Sequence, residues 1–423
     1  HSEHVAADRG IFGTSMKRSQ RVSLSRKKLV VLVLLVAAAL ILSFCPFTVA
    51  AEDTEENVSG EEELWQNIGA LLEELDMQEL QNYLDSLSEE QKALFGEGSL
   101  KDKIYALISG DFGTDYSDVF SAVAASVFDG LDGLLSTFCV ICAITILCGI
   151  LSQFKSSFSE KSTAQLIFFV GYAAVLVLIL TSLSAVIEDC FSTVTSMQKQ
   201  MQAAFPVLLT LIATSGGSVS VAVYQPAVLF LSEIIVEIVS GVVFPLAVLI
   251  CVLDMAGNMS GEIKLKNFGA LAKSIIKWVL GISLTVFTVF LTVQGITSAT
   301  YDGFSFRAAK YAIGNTVPII GGFLSGGLDM LVAGSVLIKN SLGSCCILLF
   351  AAVIAVPLIQ LAVYNLFLKL SAAVTEPVGD NRITGFLASL SATVNYFTAG
   401  LLCVGFMYFM TLILLICSSN SLF

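Results

Sequence analysis

The sequence predicts an all-α, polytopic membrane protein with about six to eight spans and an N-terminal exported region of amphipathic helix. Three observations carry that prediction. Of 423 residues 56% are hydrophobic and only 13% charged, with mean hydropathy +0.84, far from the balance of a soluble domain. Apolar runs of about 20 residues recur after Gly133, the length a helix needs to cross a hydrocarbon core of about 30 Å. With only seven prolines to interrupt those runs, helix is the available solution, since an open sheet would strand backbone amides in lipid.

The charge is unevenly placed. Residues 52–118 hold 19 acids against Lys92, Lys101 and Lys103, a net of -16, so the remainder of a chain of net -12 is +4. No broad basic surface is left for nucleic acid. Both histidines, His1 and His4, lie in the leader, so imidazole catalysis and histidine-ligated metal have no candidates in the body of the chain. There is no GxxxxGK[ST] loop and no GxGxxG after a strand. The expectation is a protein that is not an enzyme, with no cofactor and no metal; nucleotide-driven work would fall to a partner.

Residues 1–51 read as leader and secretory signal. Lys17, Arg18, Arg21, Arg26, Lys27 and Lys28 precede the apolar run Leu29 to Phe44, and small residues at Thr48-Val49-Ala50-Ala51 stand ahead of Glu52. A retained signal anchor is the alternative; in both cases residue 52 emerges outside. None of the ten cysteines lies between Glu52 and Asp118, so the exported part has no disulfide framework. Cys139-x-x-Cys142 sits in an apolar run, where cysteine acts as a small hydrophobe.

The acidic exported region, 52–118, is amphipathic helix: Leu64, Ile68, Leu71, Leu72, Leu75, Leu80, Leu84 and Leu87 recur at three- and four-residue spacing. Ser59-Gly-Glu-Glu62, Asp76-Met-Gln-Glu79 and Ser88-Glu-Glu-Gln91 have the capping-box pattern. Such helices could cap a membrane face, dock an exported partner or serve as a solvated spacer; their acidity disfavours anionic lipid head groups.

Positive-inside reasoning then orders the membrane part. Two spans, about 133–152 and 164–187, fill a region 119–187. Two units follow, 188–300 and 301–423. Each is expected to hold a re-entrant pair of half-helices, 203–223 broken at Gly216-Gly217 and 316–337 broken at Gly321-Gly322 and Gly326-Gly327, followed by two spans. Pro206 and Pro245 are spaced like Pro318 and Pro357, which suggests internal duplication; few other positions agree, so coincidence competes with it. The loops 254–277 and 369–393 are cytoplasmic in this scheme. Lys339 falls outside, a mild violation that a full crossing at 316–337 would remove.

Polar groups at membrane depth are the candidate cavity lining: Glu233 and Glu237, one helical turn apart, with Gln294, Asp329 and Asn340. The competing reading places both glutamates at the outer interface. Asp302, Arg307 and Lys310 form a candidate external interaction cluster.

Several words of the sequence resemble a known family. They are Gln225-Pro226-Ala227-Val228-Leu229-Phe230, Val243-Phe244-Pro245-Leu246, Thr292-Val293-Gln294-Gly295-Ile296-Thr297-Ser298-Ala299, Asp302-Gly303, Arg307-Ala308-Ala309-Lys310, Val317-Pro318-Ile319-Ile320-Gly321 and Leu337-Ile338-Lys339-Asn340. In order and spacing they are similar to stage III sporulation protein AE of endospore-forming bacteria. The resemblance implies a mother-cell membrane protein around the forespore, part of a channel or secretion-like complex needed for late forespore gene expression. The partners it implies are the other proteins of the stage III sporulation A operon, including a cytosolic ATPase and ring-forming membrane proteins, with homo-oligomerisation also open. It brings no catalytic residues. Beside that reading stand a self-sufficient secondary transporter of a small solute and a passive membrane scaffold.

Overall fold

The computed structural model describes residues 58–95, 98–109, 134–150, 161–259, 265–316 and 321–417. The expected signal segment and residues 110–133, 151–160 and 317–320 lie outside the described residues. Every regular element among those described is helical. The helices are α1 Val58–Glu74, α2 Gln78–Asp85, α3 Glu89–Phe95, α4 Leu100–Ser109, α5 Leu134–Ile150, α6 Lys161–Thr214, α7 Ser218–Ile238, α8 Phe244–Met259, α9 Lys266–Thr316, α10 Gly321–Thr375 and α11 Asn381–Cys417. A π-helical turn, Val239–Val243, joins α7 to α8 without a break.

Five stretches are long and apolar enough to cross a membrane, Phe169–Thr214, Ala227–Met259, Asn267–Val293, Asp329–Thr375 and Asn381–Cys417, and α5 is a shorter apolar helix. The chain is a polytopic helical membrane protein.

The helices run antiparallel in sequence. The Ser182 hydroxyl lies 3.2 Å from the Tyr364 hydroxyl, and Gln200 donates its Nε2 to the Cys346 carbonyl at 2.8 Å, so α6 and α10 pass in opposite directions. Between α10 and α11 Thr375 and Thr384 meet near the turn at 3.2 Å, and Gly343 faces Ile416 at the other end. Phe191, Phe244 and Phe397 stack in one aromatic layer across α6, α8 and α11, with centroids 5.0 and 5.5 Å apart. Gly400 gives Phe244 its place: a Cβ there would stand 2.7 Å from the ring. Phe138 on α5 meets Tyr364 and Phe367 at 5.6 and 5.1 Å.

Contacts flanking the two loops expected in the cytoplasm, and the end of α5, gather at one end. Tyr172 donates to the Met255 carbonyl at 2.7 Å and packs on Phe386, Gly385 lies against Asn258, and Gly149 abuts Val378 and Gly379. This is termed the inner end below.

Two sequence expectations are corrected. The apolar stretch 203–223 does bend back, since α6 ends in a Schellman motif with Gly217 N donating to Ile212 O at 2.8 Å and Gly216 N to Ala213 O at 3.1 Å. Gly216 has φ 93°, a conformation glycine adopts without penalty. Yet its first arm is no half-helix. α6 has 54 residues and is about 80 Å long, more than twice a hydrocarbon core, so a turn at its far end cannot lie inside the same bilayer. Pro206 is absorbed in the helix interior. Of the second expected break, Gly321-Gly322 stand at the first residues of the 55-residue α10, after the undescribed 317–320, whereas Gly326 and Gly327 lie within that helix, which also absorbs Pro357. A Gly-Gly pair inside a helix costs only propensity, roughly 1 kcal/mol per residue, which the rest of a 55-residue helix outweighs. The offset that aligns the prolines therefore sets the Gly216 turn against the interior of α10, and the two stretches are not structurally equivalent there.

Candidate functional site

Two polar layers mark the membrane part. The outer one is built on Glu233 of α7. Gln198 and Gln202 of α6 lie four residues apart, hence on one helical face, and the Schellman turn folds α7 back onto that face. Both amides donate to the carboxylate, Gln202 Nε2 to Oε1 at 2.6 Å and Gln198 Nε2 to Oε2. Two charge-assisted hydrogen bonds thus hold the arms of the hairpin together. Glu237 is exposed one turn further along α7, close to Gly241.

The inner layer joins three helices. Lys273 of α9 pairs with Asp254 of α8 at 3.2 Å, and the Thr393 hydroxyl of α11 donates to the same Asp254 oxygen at 3.2 Å. Both charged side chains are mostly covered, at 17% and 28% exposure for Asp254 and Lys273, so the pair is screened less than a surface pair. The sequence placed both in a cytoplasmic loop; they sit on helices. Between the layers Ser182 meets Tyr364, and an amide network runs along α10 and α11. In it Asn365 donates to Asn395 Oδ1 at 2.7 Å, Ser391 donates to Asn365 Oδ1 at 2.6 Å, and Asn395 donates to the Ser391 carbonyl at 3.1 Å.

The separation of the layers decides what Glu233 does. From Glu233 to Asp254 are 21 positions of near-continuous helix, about 31 Å, one hydrocarbon thickness. With the Asp254–Lys273 pair at the inner boundary, Glu233 stands at the outer one. Glu233 clamps α7 to α6, and the α6–α7 hairpin continues about 24 Å past Gln198 to Thr214.

The acidic helices α1–α4 are seated at this level. Tyr83 of α2 reaches Ser196 of α6, hydroxyl to hydroxyl, at 3.3 Å. Ile68 and Leu71 of α1 lie over Gly334 of α10. Lys103 of α4 donates to the Phe95 carbonyl at 2.9 Å with its ammonium 4.7 Å above the Phe95 ring. The apolar stripe read from Leu64 to Leu87 is thus largely spent on the chain's own helices: Ile68, Leu72, Leu80, Leu84 and Leu87 are all buried. Burial pushes the Tyr83 phenol up to about 12, with the Ser196 hydrogen bond opposing it.

The remaining predicted residues do not converge on Glu233. Asn340 is half-buried on α10 with its Oδ1 buried and unpartnered, while Asp329 is half-buried two turns into the same helix. Gln294, Asp302, Arg307 and Lys310 all belong to the continuous helix α9, so the expected external cluster is helical in backbone; their side chains lie outside what is described. Lys339 is fully buried, near the α11 end where Gly343 meets Ile416. Gln198, Gln202, Asp254 and Lys273 were missed as site residues. The signal for the first two was present, as Gln198-x-x-x-Gln202 is a polar pair at helical spacing facing a carboxylate across the only glycine turn nearby.

Long antiparallel apolar helices crossed by two polar layers define a polytopic helical membrane protein, with the acidic helices α1–α4 packed on it. The sequence model of the family described as stage III sporulation protein AE matches residues 99–419. The chain belongs to that family. The stage III sporulation protein AE of Bacillus subtilis (strain 168) is 28% identical over 370 residues, covering 88% of this chain and 92% of the relative. No solved structure matches. A sporulation role follows from the family.

Proposed function

We propose that the chain is the membrane core subunit of a sporulation transenvelope channel, a secretion-like complex linking mother cell and forespore and needed for late forespore gene expression. It resides in the mother-cell membrane around the forespore, with residues 52–118 on the exported side. One observation carries the reading: α6, α9 and α10 have 54, 51 and 55 residues, each about 75–80 Å long, so they cross once and continue well beyond the outer boundary. A subunit that only anchors itself needs no such extension; one that builds a passage across an intermembrane space does. The chain acts without catalysis of its own, and energy comes from a cytosolic ATPase partner, with ring-forming membrane proteins meeting the exported arms. The secondary-transporter reading draws on the proline duplication and on half-helix termini, and the length of α6 and α10 favours the core-subunit reading over it.

The test is a tagged full chain purified from sporulating cells. Co-purification with the ATPase and ring-forming proteins, lost when α1–α4 are deleted, supports the core-subunit role. Solute flux through the purified chain alone in liposomes, abolished by Glu233→Gln, would establish the transporter instead. Intact assembly and spore formation after shortening the α6–α7 hairpin beyond Gln202 would reduce the chain to a scaffold.

A further inference from the structure

We propose that the exposed face of α9 around Lys277 seats the phosphate headgroup of an anionic phospholipid at the inner membrane boundary. The depth is set by charge. After Lys277 the next charged residue is Asp302, so 24 residues, Trp278 to Tyr301, extend about 36 Å of continuous helix without a charge. That run covers a hydrocarbon core of about 30 Å, and Lys277 stands at its start. Lys273, one turn before it, belongs to the Asp254 pair of the inner layer. The stem of Lys277 is long enough to carry its ammonium back among the head groups.

Three donors share that face. Ser274, Lys277 and Trp278 lie at i, i+3 and i+4, hence in one sector of the helix surface, and all three are exposed, Trp278 at 69%. A hydroxyl, an ammonium and an indole N–H can each donate, and the last two cannot accept. Among the described residues no group pairs with any of the three, and the nearby carboxylate of Asp254 is already taken by Lys273 and Thr393. The face therefore calls for an acceptor with several oxygens and a negative charge, which is the chemistry of phosphate.

The surroundings select a lipid as its carrier. Gly281, one turn beyond Lys277 towards the hydrocarbon, is exposed, and a Cβ there would meet nothing within 4 Å. It leaves a notch beside the Trp278 indole, with exposed Ile282 next to it, while Leu271 and Ile275 flank the donors. A phosphate held at Lys277 thus has open apolar surface directly below it for an acyl chain, for which a free anion has no use. The indole suits the same level, with its ring towards the chains and its N–H towards the head groups. One lysine without a neighbouring free acid favours a headgroup of net negative charge over a zwitterion. The seat goes beyond the channel reading and fails separately from it, because an isolated subunit can bind a lipid.

Trp65 and Trp278 are the two tryptophans of the chain, so W65F makes the fluorescence of Trp278 a reporter of the seat. The full chain carrying W65F is reconstituted in phosphatidylcholine vesicles with a minor fraction of phosphatidylglycerol, bromine being placed on the acyl chains of one lipid or the other. Brominated phosphatidylglycerol is expected to quench Trp278 well above brominated phosphatidylcholine at equal mole fraction. K277Q should lower that preference by about fivefold, the share of one lysine near a charged surface. K277R should keep it, as should K199Q, which removes an exposed lysine on α6. Excess inorganic phosphate at constant ionic strength should leave the quenching unchanged. Equal quenching by the two lipids overturns the proposal without recourse to a lysine variant. So does a preference that survives in K277Q, or displacement of the brominated lipid by inorganic phosphate, which would make the ligand a free anion.

Discussion

Replacing Glu233 by Gln tests whether the outer clamp holds the hairpin. The carboxylate accepts from Gln198 on one oxygen and from Gln202 on the other. Gln keeps the shape but turns one acceptor into an NH2 facing a glutamine NH2, so one charge-assisted bond is lost and the other becomes neutral. A hydrogen bond to a charged group contributes about 1.5–3 kcal/mol and a neutral one about 1 kcal/mol. The exposed Gln202 side deserves the lower figures, which gives a loss of about 2 kcal/mol, or about 30-fold in the equilibrium for parting the arms. Hydrogen exchange on the protein in lipid reads this directly, as protection of amides 198–202 and 230–237 should fall by about that factor while amides near Tyr172 stay unchanged. A cycle pairing Gln198→Ala with Glu233→Ala should be non-additive by at least about 0.5 kcal/mol. Unchanged protection in Glu233→Gln together with strict additivity would refute the clamp.

Other consequences are as specific. Gly149→Ala puts a methyl into the Val378 carbonyl oxygen, a backbone atom that cannot yield, so thermal unfolding in detergent should reveal a loss of about 1–3 kcal/mol. Gly216→Ala keeps the Schellman hydrogen bonds but strains a residue at φ 93°, costing about 1 kcal/mol by the same measurement, and Gly216→Asn should recover part of it. Because burial holds the Tyr83 phenol up at about 12 against an ordinary 10.0, its neutral form is favoured in the docked state. The docking it supports is full below pH 10 and is lost as pH rises towards about 12, and Tyr83→Phe should remove that dependence, followed by protease accessibility of α1–α4.

What could be read from the sequence follows physical necessity. The Gly216 turn was legible because a helix that reverses direct into another needs a left-handed residue, and only glycine supplies it cheaply. Gly326-Gly327 carries the same letters without that need, and α10 continues through it at the cost of propensity alone. Ser88–Gln91 forms the full capping box foreseen, with the Gln91 amide on Ser88 Oγ at 3.3 Å and the Ser88 amide on Gln91 Oε1 at 3.2 Å. Ser99 and Asp102 make the same reciprocal pair with an acid one carbon shorter, which a search for Glu or Gln passes over. Ser59 lies inside the first turn of α1 instead of ahead of it. At the site, composition revealed a glutamate at membrane depth, but its glutamine partners are neutral residues 31 and 35 positions away, and only the fold-back of the hairpin makes them its ligands.

The unbroken length of α6 has a mechanical consequence. Tyr172 fixes its inner part to α8 and α11, Ser196 carries α2 of the acidic helical layer, and Pro206, the residue best placed to bend it, lies beyond both attachments. Those attachments are 24 positions apart, about 36 Å of stiff rod. Tilting the rod by about 10° at its base would swing the far attachment sideways by about 6 Å, so a small rotation at one end of the bundle becomes a side-chain-sized displacement at the other.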